Sequence, residues 1–224
     1  MGTDNLYHTR KAGRKKREEE VRGLRAARWL ILCEGKKTEP NYFSAFIKSI
    51  NNNNKIDVKL CGEGANTESL VKRVEKYFDC CREIGASKRI PYSKIIFIFD
   101  KDSFKDEQFN NAIFRAKNTY KNCIVAWSNE SFELWLCLHF EYIDAALDRN
   151  QYNTRMKNYL NEKYIKNDPE ILGKIINSGG SVENALRNAK KLIKNKNLKN
   201  PAKANPVTLV YEAIEALISE SNSK

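Results

Sequence analysis

Ile95-Ile-Phe-Ile-Phe99 sets five large apolar residues in a row directly before Asp100-Lys-Asp102. A run this short reads as a strand. An unbroken apolar strand has to be covered on both faces. That requirement points to an open sheet with helices on either side. A second run, Trp29-Leu-Ile-Leu-Cys33, stops in the same way, with Glu34-Gly-Lys-Lys following at once. Two buried strands that end on carboxylates predict one acidic site at the carboxyl edge of a parallel sheet, where open α/β folds bind their ligands.

The intervening pattern supports that layout. Strands are predicted at 28–33, around Ile56, Val58 and Leu60, at 94–99, and over Cys123-Ile-Val-Ala-Trp127. Helices are predicted at 39–50 (Thr38 as N-cap, Pro40 in the first turn), from Leu70 to Cys81, and near 106–118. The order β-α-β-α-β-α-β calls for an α/β fold with a mainly parallel four-stranded sheet flanked by helices. Beyond Trp127 the strand signal stops. Phe132-Glu-Leu-Trp-Leu-Cys-Leu-His-Phe140 is apolar and helix-compatible, and helices are predicted near 151–163, 169–176, 181–195 and 206–219. Asp168-Pro169 and Asn205-Pro206 read as N-cap/N1 pairs. The chain therefore divides into a basic N-terminal arm (1–27), an α/β core (28–128) and a helical C-terminal region (129–224) packed on the sheet edge.

Composition narrows the function classes. No apolar run approaches the roughly 20 residues of a membrane span. The polar, basic N-terminus has no apolar signal segment, so the expected compartment is the cytoplasm. Six cysteines include no CxxC pair, and the two histidines complete no zinc pattern, so buried free thiols are expected. The net charge of +12 points to an anionic partner, most simply DNA or RNA. The cations cluster. Arg14, Lys15, Lys16 and Arg17 lie in the arm, and Lys190, Lys191 and Lys194 gather late; both groups are candidates for holding a phosphate backbone.

Glu34, Asp100 and Asp102 form the acidic core of the site. In an extended segment Asp100 and Asp102 would face the same way. Converging carboxylates suit Mg²⁺ or Mn²⁺, which support phosphodiester or phosphoanhydride chemistry. The bland alternative is that these residues cap helices or bind water. Glu133, inside an apolar run, needs a metal or a basic partner. Lys36 and Lys37 either contact phosphate or are solvated turn residues. Lys101 sits where it would moderate the repulsion between the aspartates. Asn129 either orients a ligand or caps a helix. His139, Trp127 and Trp135 read as core. Gly62-x-Gly64 is too short to signal a nucleotide loop, and no Gly-x4-Gly-Lys-Ser/Thr motif occurs.

The strand–Glu34-Gly35 and strand–Asp100-x-Asp102 arrangement resembles the Toprim domain of topoisomerases, primases and OLD-family nucleases. More closely, Cys33-Glu-Gly-Lys-Lys-Thr-Glu-Pro-Asn-Tyr-Phe43 is similar to the opening motif of the RloB family. Ser128-Asn-Glu-Ser-Phe-Glu-Leu-Trp-Leu-Cys-Leu-His-Phe140 and Asn205-Pro-Val-Thr208 resemble later segments of that family. Glu130 departs from it, where proline is more usual. The resemblance implies a Toprim-like metal nuclease of a prokaryotic anti-phage system, abortive infection among them, with a separate ATPase partner. It implies Mg²⁺ binding by Asp100 and Asp102, and a general acid/base or metal-ligand role for Glu34. Glu39 resembles a second carboxylate of OLD-type nucleases; otherwise it is a favourable charge in a helix first turn. With Glu133, these five form the expected metal set, and Glu34, Asp100, Asp102 and Glu133 the expected catalytic set. Alternatives are a non-catalytic nucleic-acid-binding or regulatory subunit, and an enzyme acting on a nucleotide. Association of copies of the chain is left open.

Overall fold

The computed structural model describes residues 27–51, 56–64, 67–79, 92–102 and 104–223. The arm with Arg14, Lys15, Lys16 and Arg17 lies outside the described residues, as do Cys80, Cys81 and the Gly85–Ser87 turn. The elements run β1 (Ala27–Cys33), α1 (Thr38–Ile50), β2 (Ile56–Gly62), α2 (Thr67–Asp79), β3 (Lys94–Asp100), α3 (Asp106–Thr119), β4 (Cys123–Asn129), α4 (Glu133–Cys137), α5 (Arg149–Leu160), α6 (Ile171–Asn177), α7 (Val182–Ile193), β5 (Val207–Thr208) and α8 (Val210–Asn222). The sheet order is β2-β1-β3-β4-β5. The first four strands are parallel, as expected, and β5 adds an antiparallel edge with Ser128 opposite Thr208.

Alternate residues of each strand feed two cores, which is why the strands read as continuous apolar runs. Leu30, Leu32, Phe97, Phe99 and Trp127 pack with Leu70, Val74, Phe109 and Ile113 of α2 and α3. Trp29, Ile31, Ile96 and Ile98 pack on the other face with Tyr42, Phe43 and Phe46 of α1. Residues of α4 to α8 join this second core, including Trp135, Met156, Ile175, Ala189 and Ile214. The C-terminal helices thus cover a sheet face beside α1, and only β5 extends the edge. One helix cannot cover this face, and its large side chains each gain about 1.5–3 kcal/mol when fully buried.

Three predicted caps resolve differently. Thr38 is the first residue of α1, not its N-cap, and its hydroxyl donates to the Lys166 carbonyl. The segment after Asn205-Pro206 pairs as β5 before α8 begins, because the outer edge of β4 offers backbone groups that need partners. Asp168 accepts from the Glu170 N–H at 2.9 Å, and α6 starts just after it. Cys33 and Cys137 are buried free thiols, as expected, whereas Cys61 and Cys123 are only half-buried. Among the described residues no helix is long and apolar enough to cross a membrane.

Candidate active site

The strand order reverses between β1 and β3, so their carboxyl ends border the crevice where such sheets take ligands. Glu34 follows β1 and Asp100 ends β3. The Glu34 N–H donates to the Ile98 carbonyl at 2.9 Å, and the Asp100 N–H donates to Glu34 Oε2 at 3.2 Å. Two of the three residues expected to form the site's core are therefore joined directly.

Beside them lies a cavity of about 250 Å³ lined by Gly35, Lys36, Lys37, Thr38, Glu39, Asp100, Phe132, Glu133, Arg149, Lys166 and Asn167. Glu39 comes from the first turn of α1 and Glu133 from the start of α4, and both are buried. All five residues of α4 are buried. So short a helix is held by its packing rather than by its own propensity. That packing carries Glu133 inward, where burial without partners would be costly. Its partners are Lys166 Nζ at 3.6 Å, Arg149 Nε at 3.9 Å and the Tyr164 hydroxyl at 3.4 Å.

Asp100 is the most constrained group. Its Oδ2 accepts from the Phe132 N–H at 3.0 Å and from Arg149 Nη2 at 3.4 Å. Its Oδ1 is buried and has no hydrogen-bond partner among the described residues. Burial, then the charges of Glu39 and Glu133, hold the Asp100 carboxyl well above its ordinary range, against the Phe132 N–H and Arg149. Burial likewise raises Glu39, opposed by its own backbone N–H and reinforced by Glu133. Glu39, Asp100 and Glu133 thus crowd one another.

Arg149, absent from the expected site, is the main counter-charge. Its Nη1 donates to Asp102 Oδ2 at 2.7 Å, so one guanidinium reaches Asp100, Asp102 and Glu133. This pairing, not an extended backbone, joins the two aspartates. Asp102 lies past the end of β3 with a left-handed φ of 38°. Lys101 does not moderate them. Its ammonium turns to Asp106 at 3.2 Å and to the Phe104 carbonyl. Lys166 and Tyr164 were also missed. Their loop is pinned to α1 by Thr38 on the Lys166 carbonyl and by Asn41 Nδ2 on the Asn167 carbonyl at 3.0 Å. No local pattern marks such long-range contacts. For Arg149 the one local sign is the Asp148/Gln151 capping box, which starts α5 there.

The remaining candidates separate. Lys36 and Lys37 are exposed at the cavity. Lys190, Lys191 and Lys194 do not line it. Lys190 pairs with Glu215, and Lys191 lies 4.0 Å from the Tyr142 ring centroid. Asn129 neither faces the cavity nor caps α4; its amide donates to the Ala202 carbonyl at 2.9 Å and ties down the segment before β5. Ser128 and Thr208 hydroxyls meet at 2.9 Å, which joins the second and third sequence motifs. His139 is core, as are Trp127 and Trp135.

Two glycines make room for the turn after β1. A Cβ on Gly62 would stand 2.5 Å from the Lys36 carbonyl oxygen, which explains the Gly62-x-Gly64 segment without a nucleotide. A Cβ on Gly35 would stand 2.1 Å from Glu39 Oε2. Gly35→Ala is therefore expected to destabilise the chain by about 1–3 kcal/mol through overpacking. In a Glu39→Ala background most of that loss should disappear. Urea melts of the two single variants and the double variant measure the coupling; equal losses in both backgrounds would refute the contact.

A family model described as "RloB-like protein" matches residues 29–217. The chain belongs to the RloB-like family. The match spans β1 to α8 and includes every cavity-lining residue. The comparisons return no match to a curated protein and none to a solved structure.

The Toprim likeness of this RloB-family chain implies a divalent metal. The donors suit one in kind, since Glu34, Glu39, Asp100, Asp102 and Glu133 offer only hard oxygen ligands. The unpartnered Asp100 Oδ1 is an open acceptor within the carboxylate cluster. Among the described residues, no three His, Cys, Asp or Glu side chains stand together as a ready-made metal-holding group. The fit therefore lies in donor chemistry and in the unmet Asp100 oxygen. Of these donors, Glu39, Asp100 and Glu133 line the cavity and are the carboxylates that would hold such an ion.

Proposed function

We propose that this RloB-family chain is a Mg²⁺- or Mn²⁺-dependent nuclease that cleaves DNA or RNA phosphodiesters. The observation that carries the reading is the crowding of buried Glu39, Asp100 and Glu133 at a cavity walled by Lys36, Lys37, Lys166 and Arg149. A divalent ion supplies charge neutralisation and water activation in such chemistry. The chain's own contribution is positional. Lys36, Lys37 and Lys166 attract the phosphate. Asp100 and Glu39 would offer carboxylate oxygens to the ion beside those lysines, so substrate and ion bind together. Glu34, on the backbone N–H of Asp100, orients that aspartate and accepts a proton at the edge of the crevice. Anti-phage defence and a separate ATPase partner are proposed from the family resemblance, and the 224 residues carry no Gly-x4-Gly-Lys-Ser/Thr motif of their own.

Purified protein is expected to cut labelled DNA or RNA in Mg²⁺ or Mn²⁺, and not in chelator. Glu34→Gln should lower the rate by at least about 10²-fold, in keeping with loss of a proton-transfer group. Cleavage that persists undiminished in this variant would sink the reading. A second reading, a nucleic-acid-binding subunit without catalysis, is favoured by the pairing of Arg149 with three of the carboxylates. It predicts salt-sensitive binding that survives loss of the carboxylates, with no cleavage under any divalent ion.

A further inference from the structure

Arg149 sits in an unusual place for a cation. It is the first residue of α5, where the helix dipole disfavours positive charge. The Asp148/Gln151 capping box, with bonds of 2.8 and 2.9 Å, holds that helix start in position. The guanidinium then spreads over three acids. It stands 2.7 Å from Asp102, 3.4 Å from Asp100 and 3.9 Å from Glu133. It forms no two-pronged pair with any one of them, although that is the geometry in which an arginine binds a carboxylate best. Its Nε is buried without a hydrogen-bond partner among the described residues, as is Asp100 Oδ1. Of the four cations at the cavity, Arg149 and Lys166 make ion-pair contacts to Asp100, Asp102 and Glu133, and Glu39 crowds the same group. Such an arrangement has the character of a counter-ion spread among several acids, not of a fitted salt bridge. The Arg149 side chain is also about a third exposed, so it has a way out toward solvent.

We propose that Arg149 and a divalent ion are alternative occupants of this carboxylate cluster, and that Arg149, once displaced, binds the substrate phosphate. The inference rests on the metal-dependent reading above. It gives the released guanidinium a destination. Lys36, Lys37 and Lys166 line the same cavity, and a planar fork beside them matches two phosphate oxygens. In this arrangement the phosphate-binding form of Arg149 exists only when the ion is present, so ion and nucleic acid bind cooperatively.

The test measures Mn²⁺ binding by electron paramagnetic resonance without nucleic acid, and binding of a labelled oligonucleotide by anisotropy with and without Mn²⁺. Parent chain, Arg149→Ala, Arg149→Lys and Asp100→Asn are compared, each first checked for folding by circular dichroism. Arg149→Ala is expected to bind Mn²⁺ at least about tenfold more tightly than the parent, the effect of removing one competing charge. It should bind the oligonucleotide more weakly only when Mn²⁺ is present. Arg149→Lys should keep the competition but lose part of the Mn²⁺-dependent oligonucleotide affinity. Mn²⁺ affinity unchanged or weaker in Arg149→Ala, or an oligonucleotide loss that is equal with and without Mn²⁺, overturns the inference. Mn²⁺ binding that ignores Asp100→Asn, or is absent from both the parent and Arg149→Ala, refutes the metal-dependent reading itself. The two failures are thereby distinguished.

Discussion

Asp100→Asn is expected to melt higher than the parent chain in chelator at mildly alkaline pH, while losing divalent-dependent phosphodiester cleavage. Asp100 is buried, its Oδ1 has no partner among the described residues, and Glu39 and Glu133 repel its charge. Its carboxyl titrates well above the ordinary range in the fold. Above that range the unfolded chain carries the charge freely and the fold carries it at a penalty. The penalty is full at alkaline pH and fades as pH falls through the folded value. An amide keeps an acceptor for the Phe132 N–H without the charge. Relief of a poorly met buried group is worth on the order of 1–3 kcal/mol, or roughly 2–4 °C of melting temperature per kcal/mol in a chain of this size. Mg²⁺ should narrow the gap by stabilising only the parent. A fall in melting temperature in chelator would mean that the Arg149 pair outweighs the repulsion. Gain of stability with loss of activity is the pattern expected of a cluster kept for function.

His139→Gln is expected to flatten the acid side of the stability profile. His139 is fully buried between α1 and α4. Its Nδ1 lies 3.0 Å from the Trp135 carbonyl, which only accepts, so Nδ1 carries the proton and Nε2 accepts from the Tyr42 hydroxyl at 2.9 Å. Burial pulls its pKa from 6.5 down to about 4. The folded value is depressed, so the unfolded chain takes up a proton first. This contribution is whole above 6.5 and is lost as pH falls toward 4. The loss is about 3 kcal/mol from this one group. Glutamine reproduces one donor and one acceptor and does not titrate. The stability difference between parent and variant should therefore shrink from neutral pH to pH 4, in urea melts at each pH. A constant difference would show that His139 titrates alike in the folded and unfolded chain, against the depressed value. Because Tyr42 follows Glu39 on α1 and His139 follows Glu133 past α4, the pair also holds together the two elements that carry those carboxylates.

The site was legible in the sequence to the extent that it was local. Glu34 and Asp100 end apolar strands, and any parallel pairing of those strands brings them to one edge. Glu133 stood out because a charge in an apolar run demands a partner. Arg149, Lys166 and Tyr164 carried no such mark. Arg149 is one of 40 basic residues, and it became a site residue only because α5 starts beside β3. The misread roles share a cause. Lys101 lies between two aspartates in sequence, but a side chain's partner is set by direction and reach, and Asp106 is closer to its ammonium. The nature of the cap at Thr38 and the strand at Val207 were likewise decided by neighbours more than 70 residues away.

By itself the sequence determined the alternation of strands and helices, the parallel sheet, the two strand ends that meet and the family. Those features follow from periodicity and from the burial of continuous apolar runs, which are local properties of the chain. Only the tertiary structure decided that the C-terminal helices share a sheet face with α1. It also decided that Glu39 and Glu133 crowd Asp100, and that one arginine is shared among three acids. Charge balance in a buried cluster depends on distances between groups remote in sequence, and only the packed fold sets those distances.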